Sequence, residues 1–119
     1  MSEIAYSFES LRDALRAFAA ERDWDQFHSP KNLAVSLSVE AAELLQNFQW
    51  ISDEQSKTLP RDVVVRVRDE MADVLLYLVR LADKLDVDVS EAAQTKMEVN
   101  ALRYPVDKAR GRSTKHTDL

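Results

Sequence analysis

Two acidic pairs carry the chemistry open to this chain: Glu40-x-x-Glu43 and, further along, Glu70-x-x-Asp73. Each stands in a run with helical apolar spacing, and a three-residue step puts both carboxylates of a pair on one helical face. Glu40 falls inside the stripe of Leu33, Leu37 and Leu44, with Glu43 at its edge beside Ser36 and Asn47. Glu70, Asp73 and Tyr77 line one border of a second, wider stripe. Buried like charges are costly unless a cation neutralises them, so four converging carboxylates predict a divalent metal site. A lone acidic pair reads as a solvated face, and Glu54, Asp69, Asp83, Asp86 and Asp88 are read that way.

Oxygen-only ligands suit magnesium, manganese or calcium. Di-iron bundles use Glu-x-x-His, whereas His28 and His116 lie outside both acidic pairs. Magnesium combines a few carboxylates with waters and substrate phosphates, which points to phosphate chemistry. Trp24 precedes the second helix, Trp50 lies two turns past Glu43, and Tyr77 is one turn past Asp73. Such aromatics can sandwich a base, although each alone reads as packing. Lys96, Asn100 and Tyr104 share one face of the last helix. Lysine offers phosphate a point charge, and asparagine or tyrosine can reach a sugar or base edge.

Four helices are expected to position these groups. The first covers residues 8–23, with Phe8, Leu11, Leu15, Phe18 and Ala19 as its stripe. Ser29-Pro30 starts the second, which runs to residue 50 with serine as N-cap and proline at the first helical position. Residues 52–60 form a polar connection ending in Pro60. The third spans residues 61–85 and is apolar around most of its circumference, which predicts burial at a subunit interface. Ser90 is expected to cap the fourth, which reaches residue 103 and stops before Pro105. With no strand alternation and short links, the fold class is all-α, a four-helix bundle packed into a homo-oligomer.

Composition narrows the function. A chain of 119 residues makes one domain, here read as residues 1–106 followed by a basic, flexible tail at 107–119 carrying Lys108, Arg110, Arg112 and Lys115. A net charge of -5 argues against general nucleic-acid binding, which depends on neutralising phosphates. The absence of cysteine excludes disulfides and thiolate chemistry and fits the cytoplasm. Met1-Ser2-Glu3-Ile4 does not open a signal peptide, and no apolar stretch is long enough to span a membrane.

With these residues assembled, the chain resembles the all-α nucleoside triphosphate pyrophosphatases of the MazG-like superfamily, and within them the dCTP pyrophosphatase branch. The resemblance rests on Glu40, Glu43, Glu70 and Asp73 together with FAAERDWDQFHSPKNL (residues 18–33), the ELLQNFQW run ending at Trp50, DEMADVLLYLVRLA (69–82) and KMEVNALRYPVDKARGRS (96–113). It implies hydrolysis of a nucleoside triphosphate to monophosphate and pyrophosphate, serving nucleotide-pool control. Mg2+, or Mn2+ in its place, would be held by the four acids. It further implies that Trp24, Trp50 and Tyr77 shape the base and sugar pocket, that Lys96, Asn100 and Tyr104 contact phosphate or sugar, and that the sites assemble in a homotetramer or homodimer. The branch commonly carries histidine where this chain has Leu15. Leucine neither donates nor accepts a hydrogen bond, so the preferred base stays open. Two other readings share the apolar stripes: a non-catalytic nucleotide-binding bundle, and the same hydrolysis with dUTP, modified-base or broad specificity.

Overall fold

The structure, a computed structural model, describes residues 5–119. The expectation about a leader concerns residues 1–4 and lies outside them. No strand occurs among the described residues, and no helix is long and apolar enough to cross a membrane.

Helix α1, Phe8–Glu21, starts on a reciprocal cap. The Ser7 hydroxyl accepts from the Ser10 N–H at 3.0 Å, and the Ser7 N–H donates to the Ser10 hydroxyl at 2.8 Å. The helix ends two residues short of expectation because Asp23 turns into the left-handed region, φ 54°. The Trp24 N–H then closes back onto the Ala19 carbonyl at 2.9 Å. Helix α4, Arg61–Lys84, ends the same way, with Asp86 at φ 55° and the Val87 N–H on the Ala82 carbonyl. Glycine usually takes this position, but aspartate tolerates it. The chain has a single glycine, so its composition gives little warning of the first stop, while the second falls within one residue of the expected end at 85.

A 3-10 turn, Asp25–Phe27, leads to Ser29, whose hydroxyl accepts from the Asn32 N–H and starts helix α2, Pro30–Gln46. The helix was expected to reach residue 50. It stops at Gln46, and the Asn47 side-chain amide turns back onto the carbonyls of Glu43 and Leu44, competing with the main chain for their lone pairs. A one-turn helix, α3 (Asp53–Ser56), is capped by Ser52 and Gln55 inside the polar connection. Helix α4, Arg61–Lys84, follows Pro60 and is about 36 Å long at 1.5 Å per residue.

These helices belong to one compact unit, which ends at Val87. Both α1 and α2 pack on α4. The apolar core is small for the number of apolar residues: Ala19, Leu33, Val79 and Ala82 are buried, together with the charged Arg80. On α4, Val64, Val65, Met71, Leu75 and Leu78 remain exposed, as does Leu85 at its C-cap.

The second unit is Asp88–Leu119. Helix α5, Val89–Arg103, is capped by Asp88, whose carboxylate accepts from the Glu91 N–H at 3.1 Å. Ser90, expected as the cap, is already helical. Both serine and aspartate are good caps, so the sequence admitted either frame, and the chain uses the earlier one. Asp88 is therefore a capping group rather than a simple solvated acid. A further turn, α6 (Val106–Ala109), and a 3-10 turn at His116–Asp118 give the tail regular structure. The His116 ring packs edge-on against Tyr104.

Candidate functional site

Helix α2 presents Glu40 and Glu43 one turn apart, and α4 presents Glu70 opposite them. One carboxylate oxygen from each lies within 4.8 Å of the others. Glu40 Oε2 and Glu70 Oε2 are buried without a hydrogen-bond partner among the described residues. Burial, and then the neighbouring Glu43, push the Glu40 carboxyl up to about 7, with Asp73 and Glu70 adding to the effect. Burial and Glu43 likewise hold Glu70 above its usual range. Asp73 is half-buried one turn beyond Glu70, outside the group of three, and its charge raises both glutamates.

Among the described residues no ion pair reaches this cluster, whereas Asp25 and Asp83 are each held by two cationic side chains. The donor set is oxygen alone, two of its atoms are desolvated and unpartnered, and the groups repel one another. Such an arrangement fits a hard divalent cation.

The signs of these shifts predict how the metal-free protein responds to pH. A carboxyl raised in the fold contributes stability that is complete below its unfolded value and is lost as pH rises through the folded one. For Glu40 that window runs from about 4.5 to about 7. Burial, then Arg80 and Lys84, depress His28, an effect of opposite sign that is spent by its ordinary value near 6.5. In chelator, the thermal midpoint should therefore fall as pH rises from about 6 to 8, and Mg2+ should remove that fall. A midpoint that is flat or rising across this range without metal would contradict the cluster's electrostatics.

Asp73 connects the acids to a pocket of about 180 Å³ between α1, the 24–28 turn and α4. Leu15, Phe18, Ala19, Trp24 and Leu76 supply its apolar wall, and Asp73, Tyr77, His28 and Arg80 its polar groups. Trp24 meets the edge of Phe18 at 5.7 Å and 68°. The volume is below the roughly 300–1,000 Å³ of sites for whole drug-sized ligands, which suits one flat ring system.

Arg80 anchors the floor. It is 5% exposed, and each of its three nitrogens has a partner. Nη2 donates to Asp25 at 2.6 Å, Nη1 to Asp83 at 3.2 Å, and Nε to His28 Nδ1 at 3.1 Å. Arg16 reaches Asp83 from α1 with both Nε and Nη2, and Lys84 shares Asp25. Asp83 is thus no solvated acid, contrary to the reading of its sequence context. Its side chain is 8% exposed and clamps two guanidinium groups, which hold its carboxyl below the usual range.

Of the residues singled out from sequence, Glu40, Glu43 and Glu70 come together, while Asp73, Trp24 and Tyr77 meet at the pocket. Leu15 also lines it. Trp50 is 86% exposed in the turn after α2. Lys96 and Tyr104 are exposed and Asn100 half-buried in the second unit. Sequence reasoning did not find His28 or Arg80 at the pocket. A usable signal existed for the arginine, which is the one charge inside the apolar run from Val74 to Ala82.

The MazG-like family model matches residues 35–119. dCTP pyrophosphatase 1 of Mus musculus is 44% identical over 115 residues, covering 95% of this chain and 68% of that protein. The Homo sapiens protein of the same name is 42% identical over 116 residues, with the same coverage. A crystal structure of a pyrophosphatase from Archaeoglobus fulgidus superposes with a TM-score of 0.79 at 42% identity, spanning 88% of this chain and 98% of that one. With the family model over residues 35–119 and relatives at 42–44% identity over 95% of its length, this chain belongs to the MazG-like family.

Proposed function

We propose that the chain is a Mg2+-dependent nucleoside triphosphate pyrophosphohydrolase, acting on dCTP or a modified dCTP and releasing monophosphate and pyrophosphate. The carrying observation is the junction at Asp73 between an unpartnered acidic cluster and a ring-sized pocket. It occurs in a chain 42–44% identical to proteins named dCTP pyrophosphatase 1.

Glu40, Glu43, Glu70 and Asp73 would hold the cation, with Mn2+ as a substitute. When bound, such an ion supplies positive charge to the phosphates and lowers the pKa of water. The chain's own groups then have distinct tasks. Trp24 and Tyr77 hold the base by stacking in the pocket, and Trp50 completes the base and sugar site. Lys96, Asn100 and Tyr104 bind phosphate or sugar. Glu43 takes a proton from the attacking water, whose oxygen bonds to the α-phosphorus as the α–β bridging P–O bond breaks. Pyrophosphate carries away the bond's electron pair. A positioned base of this kind contributes roughly 10²–10⁴-fold.

The exposed apolar face of α4 and the exposed Trp50 support a homotetramer or homodimer, in which a neighbouring copy covers both. A cytoplasmic setting, suggested by the cysteine-free sequence, would supply the triphosphates for nucleotide-pool control. One observation favours a second reading of the specificity: Leu15 in the pocket wall offers a base no hydrogen bond, which suits a broader substrate range.

A panel of dCTP, 5-methyl-dCTP, dUTP, the other canonical triphosphates and an oxidised-base triphosphate, each with Mg2+, tests the reading. The expected products are nucleoside monophosphate and pyrophosphate, dCTP or its modified form being preferred. Comparable rates across the panel would favour the broad reading. Stepwise release of inorganic phosphate, or no hydrolysis at all, would overturn the function. Sedimentation of a monomer at micromolar concentration would overturn the assembly.

A further inference from the structure

The His28 imidazole lines the pocket with one nitrogen already committed. Its Nδ1 receives the Arg80 Nε–H at 3.1 Å. A guanidinium has five donors and no acceptor, so Nδ1 must bring a lone pair to this contact. In a neutral ring the proton then sits on Nε2, which has no partner among the described residues. Arg80 itself is spent: its remaining nitrogens bond Asp25 and Asp83, and 5% exposure leaves it little reach toward a ligand.

We infer that Arg80 is a positioning residue that locks His28 as its Nε2–H tautomer, so that this wall of the pocket offers a nucleobase a hydrogen-bond donor and no acceptor. The inference rests on the reading of the pocket as a nucleobase site and deepens it. The base that fits turns an acceptor toward His28, as the O2/N3 edge of cytosine does. Leu15 contributes no polar group to that wall, which leaves His28 to read it. The surroundings keep the ring neutral, since burial, Arg80 and Lys84 all disfavour the imidazolium, with only Asp25 acting the other way. A site that reads a base by hydrogen bonding discriminates more sharply than one relying on apolar contact.

Nitrogen-15 NMR of the histidines, on the intact protein in whatever assembly it forms, reads the tautomer without using activity. At neutral pH, Nδ1 of His28 should be unprotonated and Nε2 protonated. The Nε2 resonance should move when a non-hydrolysable dCTP analogue binds. Arg80→Met should yield a mixture of tautomers and lower the preference for dCTP over base-free deoxyribose triphosphate by roughly tenfold, the effect of one hydrogen bond, more in KM than in kcat. Arg80→Lys, still a donor without an acceptor, should restore the tautomer and part of the preference, which a purely structural role would not require. An Nδ1–H tautomer or an imidazolium in the wild-type protein at neutral pH overturns the inference alone, and needs no variant to fold. Unchanged base preference in Arg80→Met, in an active enzyme, does the same. Failure of the wild-type protein to bind or hydrolyse any triphosphate would overturn the base-reading role together with the proposed function, leaving the tautomer to be judged by its own spectrum.

Discussion

Glu40→Gln is expected to make the metal-free protein more stable and nearly inactive. Glutamine keeps the shape of the side chain but removes one charge from a cluster in which burial and Glu43 push Glu40 up to about 7. At pH 8 the wild-type carboxylate is ionised beside Glu43, Glu70 and Asp73. The neutral amide relieves that repulsion and can donate to an acid beside it. The thermal midpoint in chelator should rise by several degrees, and its decline between about pH 6 and 8 should largely vanish. Turnover should fall by at least roughly 100-fold, because loss of a partner that merely supports a metal ligand already costs about 10–100-fold. The opposite signs make the test specific. Loss of activity accompanied by loss of stability would mark Glu40 as a structural residue, and retained activity would remove the acids from the mechanism.

Asp83→Ala is expected to cost about 3 kcal/mol of folding stability, the lower end of the range for breaking a buried ion pair. The side chain of Asp83 is 8% exposed and that of Arg80 is 6% exposed, so removing the acid strands a buried guanidinium. Asp25 still holds Nη2 of Arg80, which keeps the loss at the low end. Arg16 is half-exposed and can turn to water. Because Arg16 and Arg80 hold the Asp83 carboxyl low, its contribution is present above the ordinary aspartate range and lost as pH falls through the folded value. Urea melts of wild type and variant should thus differ fully at pH 7 and converge in strong acid. A difference below about 0.5 kcal/mol at pH 7, the scale of an ordinary surface substitution, would show that the network is not holding α1 to α4.

Glu40 lies on α2 and Asp83 on α4, and only the first position was legible beforehand. Glu70-x-x-Asp73 repeats the spacing of Glu40-x-x-Glu43, and a repeated helical step against an apolar stripe is a pattern one strand of text can carry. Asp83 reads as one acid among several near a helix end. Its partners Arg16 and Arg80 lie 67 and 3 residues away, and the partners of Arg80 in turn, Asp25 and His28, are 55 and 52 residues away. The three-residue step from Arg80 to Asp83 follows helical spacing, but no local rule connects the other distances.

The division follows the range of the forces. Short-range preferences settled the helical class, the starts of α1, α2 and α4 and the one-turn steps of the acids, because caps, proline geometry and 3.6-residue periodicity act within a few residues. They failed at the ends of α1 and α2, where Asp23 does glycine's work and Asn47 turns back on the helix, and at the choice of Asp88 over Ser90. Tertiary packing decided which three carboxylates meet, set Asp73 between them and the pocket, and turned Arg80 inward to hold His28. Those outcomes depend on desolvation and Coulomb interaction between groups far apart in the chain, and such energies exist only once α1, α2 and α4 have met.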